Sequence, residues 1–532
     1  MPSLLRYLLY LVLGLCAFNL PGSNNLLISS NYTGRATGNG GSSEVTITPD
    51  GRYVAFSSGA ADFPGVGTNG SLDVYLLDRA TGIRRCITNP SNFPPGVAPY
   101  AAQSPVISDD GRFVGFLANH GLLVPEITNY PPSRPWNFFV YDTVSNRYFL
   151  GSPNGNARTV FPESVGVATL SSDGRYSSFL GGSLSDYYRG DLEAGISERI
   201  NVDLSNNVVF ISNVRAHTPN HRYFVFGANA SNVVADPSKT DQTLQVYRRD
   251  MDLGVTRLVS LATNGGYAST NSFARAISPD GRHVAFRSRA TNLQPGMGGG
   301  AFDDVWIRDM IANETWCVTV NAAGTGSLGN SAGIQEFHFS EDGRRLLFQT
   351  TMSGAGFIGT LFVHDLASRT NRLLATSVFS EATRFSDNGR YALYCRGSFD
   401  LMSIDVETLR RQRVGNLRGW SPLNSAIRIS ADGRWTFFTS HTNEVVGVSD
   451  TNGQLDVFAA PTISPRIESV AGTGPRTVEA TAFPNDAVQL QRSSDLLTWD
   501  TVASGQTSGG GTITLQDSAI ASPNGFNRLR GP

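Results

Sequence analysis

The chain has 532 residues, with 42 basic and 44 acidic side chains and a formal charge of −2. That balance gives no electrostatic ground for a nucleic-acid or anionic-membrane partner, and arginine supplies every positive side chain except Lys239. With 56 glycines and 40% hydrophobic residues, the chain can bury a large core and make many tight turns, as an all-β protein must.

In chain order, a short basic start ending at Arg6 precedes Tyr7 to Leu20, which is apolar apart from Asn19, and the chain turns polar from Pro21. This layout predicts a secretory signal over residues 1–22, too short to span a bilayer, and hence no transmembrane segment in the mature chain. Leu13-Gly14-Leu15-Cys16 has the outline of a lipoprotein cleavage box, with bulky Leu15 where a small residue is wanted. The expected location is outside the cytoplasm: periplasmic, cell-surface or extracellular.

From residue 48 a signature recurs: a Ser/Thr approach, Asp-Gly-Arg, then an apolar run containing an aromatic. It first reads Thr48-Pro49-Asp50-Gly51-Arg52-Tyr53-Val54-Ala55-Phe56. Taking the glycine as marker, it returns at Gly111, Gly174, His221 (in place of Gly), Gly281, Gly343, Gly389 and Gly433, at intervals of 44 to 63 residues. A unit of roughly 40–60 residues with a turn and several strands is the mark of a propeller. The fifth repeat reads as four strands: Phe273 to Ser278, His283 to Ser288, Asp304 to Asp309 and Thr315 to Val320. The third-strand motif closes on an Asp in most repeats, as in Asp73–Asp78 and Gln245–Asp250, and that Asp is expected to accept hydrogen bonds from the next turn. In the third repeat the motif is read at Arg199-Ile200-Asn201-Val202-Asp203.

The last repeat stops after its third strand at Leu455-Asp456-Val457-Phe458, because Pro461 and Pro465 break the pattern. Leu26-Leu27-Ile28-Ser29 resembles the fourth strand Arg257-Leu258-Val259-Ser260, so the N-terminal strand is expected to complete the eighth blade and close the ring. Eight blades over residues 24–460 is the prediction, or seven if the third repeat forms none. Of the cysteines, Cys86, Cys317 and Cys395 follow the leader, on separate repeats, and are read as free thiols. From residue 465 to 532, the strand-like runs Gln489 to Trp499, Thr512 to Asp517 and Phe526 to Leu529 predict a small β-sandwich.

The Asp-Gly-Arg turns at 50–52, 110–112, 173–175, 280–282, 342–344 and 432–434, with Asn388-Gly389-Arg390, resemble the WD40-like (PD40) propeller repeats of the TolB C-terminal domain. The resemblance implies the propeller fold and leaves function open, since such repeats serve binding proteins, peptidase propellers and lyases alike. The run Gln491-Arg492-Ser493-Ser494-Asp495-Leu496 and the closing Phe526-Asn527-Arg528-Leu529-Arg530 resemble C-terminal β-domains of exported Planctomycetes–Verrucomicrobia proteins.

Chain order places the short Asp-Gly-Arg turns on one face and the long links (Phe63–Ser71, Ala118–Asn137, Gly181–Glu198, Asn229–Thr243, Arg289–Phe302) on the other. The loop-rich face is therefore the expected site. Its aromatics Tyr100, Tyr130, Trp136, Tyr187, Tyr188, Tyr267 and Trp420 are candidates for stacking on a sugar or anchoring a peptide. There is no Gly-x-Ser-x-Gly elbow or His-Glu-x-x-His run, so no catalytic residue is named and no cofactor is expected. The one metal candidate is Asp450-Thr451-Asn452-Gly453-Gln454-Leu455-Asp456, where Asp450, Asn452 and Asp456 offer oxygens to Ca²⁺; a plain Asn-Gly turn is the competing reading. The expected function is recognition, without catalysis, of a glycan, peptide or envelope protein. The alternative is a propeller enzyme of metal-assisted lyase type acting on polysaccharide. His and carboxylates clustered at the channel mouth would favour the enzyme, an aromatic or purely polar mouth the binder.

Overall fold

The computed structural model describes residues 25–63, 71–88, 101–119, 124, 127, 130–131, 133–156, 159–181, 186–209, 211–235, 242–299, 302–320, 336–351, 358–397, 399–417, 427–441, 448–464, 466–471, 476–483, 485–493, 500–509, 511–517 and 526–530. The predicted signal, Tyr100, Trp420 and Trp499 lie outside them.

Eight four-stranded antiparallel blades follow one another, beginning with Ser42–Ile47, Tyr53–Ser58, Asp73–Asp78 and Ile83–Cys86. The sixth and seventh blades are continuous, because the 16-residue strand Thr370–Phe385 ends one and begins the other. The eighth consists of Ile427–Ile429, Trp435–Ser440 and Asp456–Pro461, and Leu26–Leu27 pairs with the last of these as its outer strand (Leu26 with Ala459, Leu27 with Phe458). The expected ring closure is present. The third blade also forms, so the count is eight.

The signature explains itself in hydrogen bonds. In every blade the Ser/Thr hydroxyl donates to the turn Asp or Asn, from Thr48 to Asp50 (2.5 Å) through Ser430 to Asp432 (2.6 Å). The same carboxylate or amide oxygen accepts the Arg backbone N–H, and the hydroxyl accepts the next one, as from Tyr53 (3.0 Å). The Gly holds positive φ, and His221 does so in its place at 54°. The glycine has a second duty: Gly111 lies on the Tyr53 ring of the preceding blade, Gly174 on Phe113, Gly281 on Tyr223 and Gly433 on Tyr391, with room for no Cβ. The signature therefore docks each turn on the blade before it.

The arginine then reaches the closing Asp of its own third strand, as Arg52–Asp78 (2.9 Å), Arg112–Asp142 (2.8 Å) and Arg282–Asp309 (2.6 Å). Arg112 holds the Asp142 carboxyl well below the usual carboxylate range, and Asp142 also accepts the Val144 and Ser145 N–H groups, as expected of a turn-capping Asp. In the third blade this strand is Asp186–Asp191, closed by Asp191, and the run read as the motif instead begins at Arg199, the end of the fourth strand, and continues beyond it to Asp203. The sequence reading missed it because Tyr187-Tyr188-Arg189-Gly190 lacks the usual aliphatic run. The eighth third strand has no closing Asp. Its Arg434 is released to Asp486 of the C-terminal domain (2.5 Å), where Phe483 packs on Tyr391 with centroids 4.8 Å apart. That domain is a pair of three-stranded sheets around Val478, Val488, Leu490 and Leu515, the expected sandwich.

A second repeated device confirms the closing strand. A hydroxyl after the fourth strand donates to the side chain that opens the third: Thr88 to Asp73 (2.7 Å), Ser152 to Asn137 (3.1 Å), Ser260 to Gln245 (2.6 Å) and Thr319 to Asp304 (2.8 Å). Ser29 performs this for Asp456 (2.9 Å) across the ring closure. The three cysteines are free, and burial pushes the Cys86 thiol up to about 12.

Two measurements check this architecture. Gly281→Ala forces a Cβ to within 2.3 Å of the Tyr223 ring at φ 75°, whereas Gly254 at φ 65° faces open space. Urea unfolding is expected to show Gly281→Ala losing about 2–4 kcal/mol and Gly254→Ala about 1; equal losses would contradict the blade-to-blade contact. The second concerns Asp456, whose burial raises its carboxyl to about 7 against the opposing Ser29 hydrogen bond. The folded state then binds a proton that the unfolded chain releases near pH 4, so stability falls as pH rises from there to about 7. Asp456→Asn, the residue type of position 137, is expected to stabilise the protein near pH 8 by on the order of 1–3 kcal/mol and not near pH 4.

Candidate functional site

The eight inner strands converge on a central channel, and the residue two before each turn glycine sets its mouth on the turn face. There the backbone forms an inter-blade collar: Asp109 N–H donates to Ser172 O (2.8 Å), Ser172 to Pro219 (2.8 Å), Glu341 to Asp387 (2.7 Å) and Ala431 to Pro49 (2.7 Å). Asn388 supplies the link from the seventh blade to Ala431 (3.1 Å). The other links fail where the donor would be Pro49, Pro219 or Pro279, which have no N–H. Burial raises the carboxyls of Asp109, Glu341 and Asp387, and Asp109 adds to the rise at both of the others. Acids of the second, sixth and seventh blades therefore feel one another across a narrow opening.

At the collar, which lends it Pro219, Pro279 and Asp387, a cavity of 450 Å³ follows the inner strands of the fourth to seventh blades. Its polar lining is His217, Arg275, Glu336, His338 and Asp387, set among Ile277, Phe337 and Phe385. Glu336 Oε2 lies 3.2 Å from His338 Nε2 and 3.8 Å from Arg384 Nη1. Burial alone would raise the Glu336 carboxyl, but His338 first, then Arg384 and Arg275, hold it below the usual range. Arg384 stands on the inner strand of the seventh blade, beside the cavity residue Phe385, and 31% of its side chain is exposed. Burial lowers the Arg384 guanidinium, and burial followed by repulsion from Arg384 lowers Arg428 to about 9. His217 is stacked edge-on against His221 with centroids 4.4 Å apart. Burial keeps both below the ordinary histidine range.

The five described members of the expected aromatic platform all make packing contacts. Tyr187 and Tyr188 are in the third strand of the third blade and buried; Tyr188 stacks on Phe179 at 5.4 Å. They were assigned to a loop only because that strand was misplaced. Tyr130 donates its hydroxyl to Pro135 O and packs against the core between the first two blades. Trp136 and Tyr267 are half-buried against the cores beside the third and fourth blades. Much of the loop-rich face, including Tyr100 and Trp420, lies outside the described residues. The Asp450 loop is a clasp on the N-terminal segment: Asp450 accepts the N–H groups of Asn452 and Gly453, and Asn452 donates to Gly38 O (2.7 Å) while accepting from Gln454 N–H. Asp456 accepts from Ser29 (2.9 Å) and lies near enough to Asp450 and Asn452 to interact with both. Among the described residues no three His, Cys, Asp or Glu side chains are grouped to hold a metal ion.

Sequence reasoning passed over Arg275, Glu336, His338, Arg384 and Arg428. For three of them a signal was available: the inner-strand position five before the turn glycine reads Thr46, Val106, Thr169, Ala216, Ala276, His338, Arg384 and Arg428, uncharged in the first five blades and cationic or imidazole in the last three.

No family model and no curated protein sequence matches the chain. Among solved structures it is similar to an oligogalacturonate lyase in complex with manganese (TM-score 0.43, 13% identity, 67% of this chain and 87% of that one). It is also similar to the β-propeller domain of the Trilobed protease from Pyrococcus furiosus (0.41, 11%, 70% and 97%). A putative TolB from Agrobacterium tumefaciens is a third (0.30, 11%, 74% and 96%). These likenesses concern the propeller fold; no helix among the described residues is long and apolar enough to cross a membrane.

Proposed function

We propose that this chain is an exported recognition protein whose central channel takes up part of a glycan or peptide of the cell envelope. The observation that supports this reading is the 450 Å³ cavity, into which four successive blades send His217, Arg275, Glu336, His338 and Asp387 over an apolar floor. Pockets of this size and mixed lining hold small ligands or the end of a chain. The repeated scaffold supplies rigidity, and the unrepeated side chains supply selectivity. The sandwich, fixed through Arg434–Asp486, serves attachment.

The same lining favours the enzymatic alternative by the criterion set out for the channel mouth, since His217, His338, Glu336 and Asp387 gather there from several blades. In the Glu336–His338 pair a carboxylate beside an imidazole can pass a proton to or from a bound sugar. Both readings are tested together by applying the purified mature protein to glycan and peptide arrays, with mass spectrometry of the products. Specific binding without cleavage is expected. Ala216→Phe, which narrows the cavity at a half-buried lining position, is expected to weaken that binding at least tenfold. Undiminished binding would move the site to the loop-rich face, and product chains would replace the binder with the enzyme.

A further inference from the structure

Two arginines stand on the adjacent inner strands of the seventh and eighth blades, which contact one another, and Glu336 of the sixth blade lies beside the first of them. Arg384 and Arg428 each stand five residues before the turn glycine of adjacent blades, Gly389 and Gly433, so the repeat brings them to the same height on neighbouring inner strands. Each spends one N–H on a backbone carbonyl, Arg384 on Thr383 O (2.7 Å) and Arg428 on Ile427 O (3.0 Å). Glu336 is 3.8 Å from Arg384 and is shared with His338 at 3.2 Å. No carboxylate among the described residues pairs with Arg428, whose electrostatic neighbour is Arg384 itself. Arg275 from the fifth blade lines the cavity and, with Arg384, acts on Glu336.

Like charges brought together away from water oppose folding. A protein that keeps such an arrangement gives up stability for function in the manner of a binding site. A guanidinium offers its N–H groups as a planar fork matched to the paired oxygens of a carboxylate or phosphate. Resting on the channel reading above, we propose that the channel wall of the seventh and eighth blades is an oxyanion seat. In it Arg384 and Arg428 together grip one carboxylate or phosphate group of the ligand, and Glu336 with His338 sets the side from which that group is approached. The ligand class is therefore acidic, and the turn-face arginines take no part, since most already have an Asp partner.

The test is the melting temperature of the mature protein at fixed ionic strength, with sodium chloride replaced by sodium phosphate or sodium citrate. Wild type is expected to gain stability with at least one of them, phosphate or citrate dominance telling which oxyanion fits. Arg428→Gln is expected to melt at or above wild type in chloride, because the repulsion is gone, and to lose the oxyanion increment. Arg52→Gln, at a turn, is expected to keep that increment. Arg428→Lys, a gentler change, keeps the charge without the fork and is expected to lose most of the increment. The proposal is overturned if wild type shows no increment, if Arg428→Gln keeps it, or if Arg428→Gln melts lower in chloride, the mark of a structural arginine. Array binding abolished by Ala216→Phe without any oxyanion increment would leave the channel reading standing and remove the seat. An increment lost in Arg428→Gln beside array binding indifferent to Ala216→Phe would do the reverse.

Discussion

The ring depends on a hydroxyl–carboxylate clasp repeated eight times in the turns of the inner strands. Its Ser or Thr oxygen is buried, its Asp or Asn oxygen ties down the following N–H, and the clasp fixes the glycine that lies on the neighbouring blade. Each clasp contributes only about 1 kcal/mol net. The repetition matters more than the magnitude, because it sets the same turn in every blade and so the same approach of one blade to the next. The collar of backbone hydrogen bonds around the channel follows from that regularity. The arginines of the signature are secondary: they are 37–51% exposed in the first three blades and the fourth, a setting in which ion pairs are worth little.

The architecture was legible because its determinants are local. Asp-Gly-Arg, the hydroxyl ahead of it and the aromatic behind it act within one turn and one contact, so their spacing is visible in the chain. Even the ring closure could be read, since Leu26 to Ser29 repeats the chemistry of Arg257 to Ser260. The exception is instructive. The third strand of the third blade carries Tyr187, Tyr188 and a buried Arg189, which Glu198 and Asp252 neutralise from the fourth strand and the next blade (2.6 and 3.1 Å). Those partners are tertiary, so the strand looked like a loop and its tyrosines like a ligand platform.

The site was hidden for the same reason. Arg275, the Glu336–His338 pair, Arg384 and Arg428 come from four successive blades and become neighbours only when the blades pack. Nothing in their local sequence announces chemistry, and each on its own would pass as a solvated charge. Reading the repeat column by column, and looking for the column that stops agreeing, recovers His338, Arg384 and Arg428. Repetition marks the parts that hold blades together, and its failure marks the wall facing a ligand. That failure occurs on the inner strands of the sixth to eighth blades.

The division between architectural and binding arginines can be seen in one electron-density map. Crystals of the mature protein soaked in sodium selenate, with data collected at the selenium edge, would locate the oxyanion by its anomalous signal. The strongest peak is expected in the channel, within hydrogen-bonding distance of both Arg384 and Arg428. Peaks confined to the turn arginines Arg52, Arg112 and Arg222, with none in the channel, would contradict the assignment.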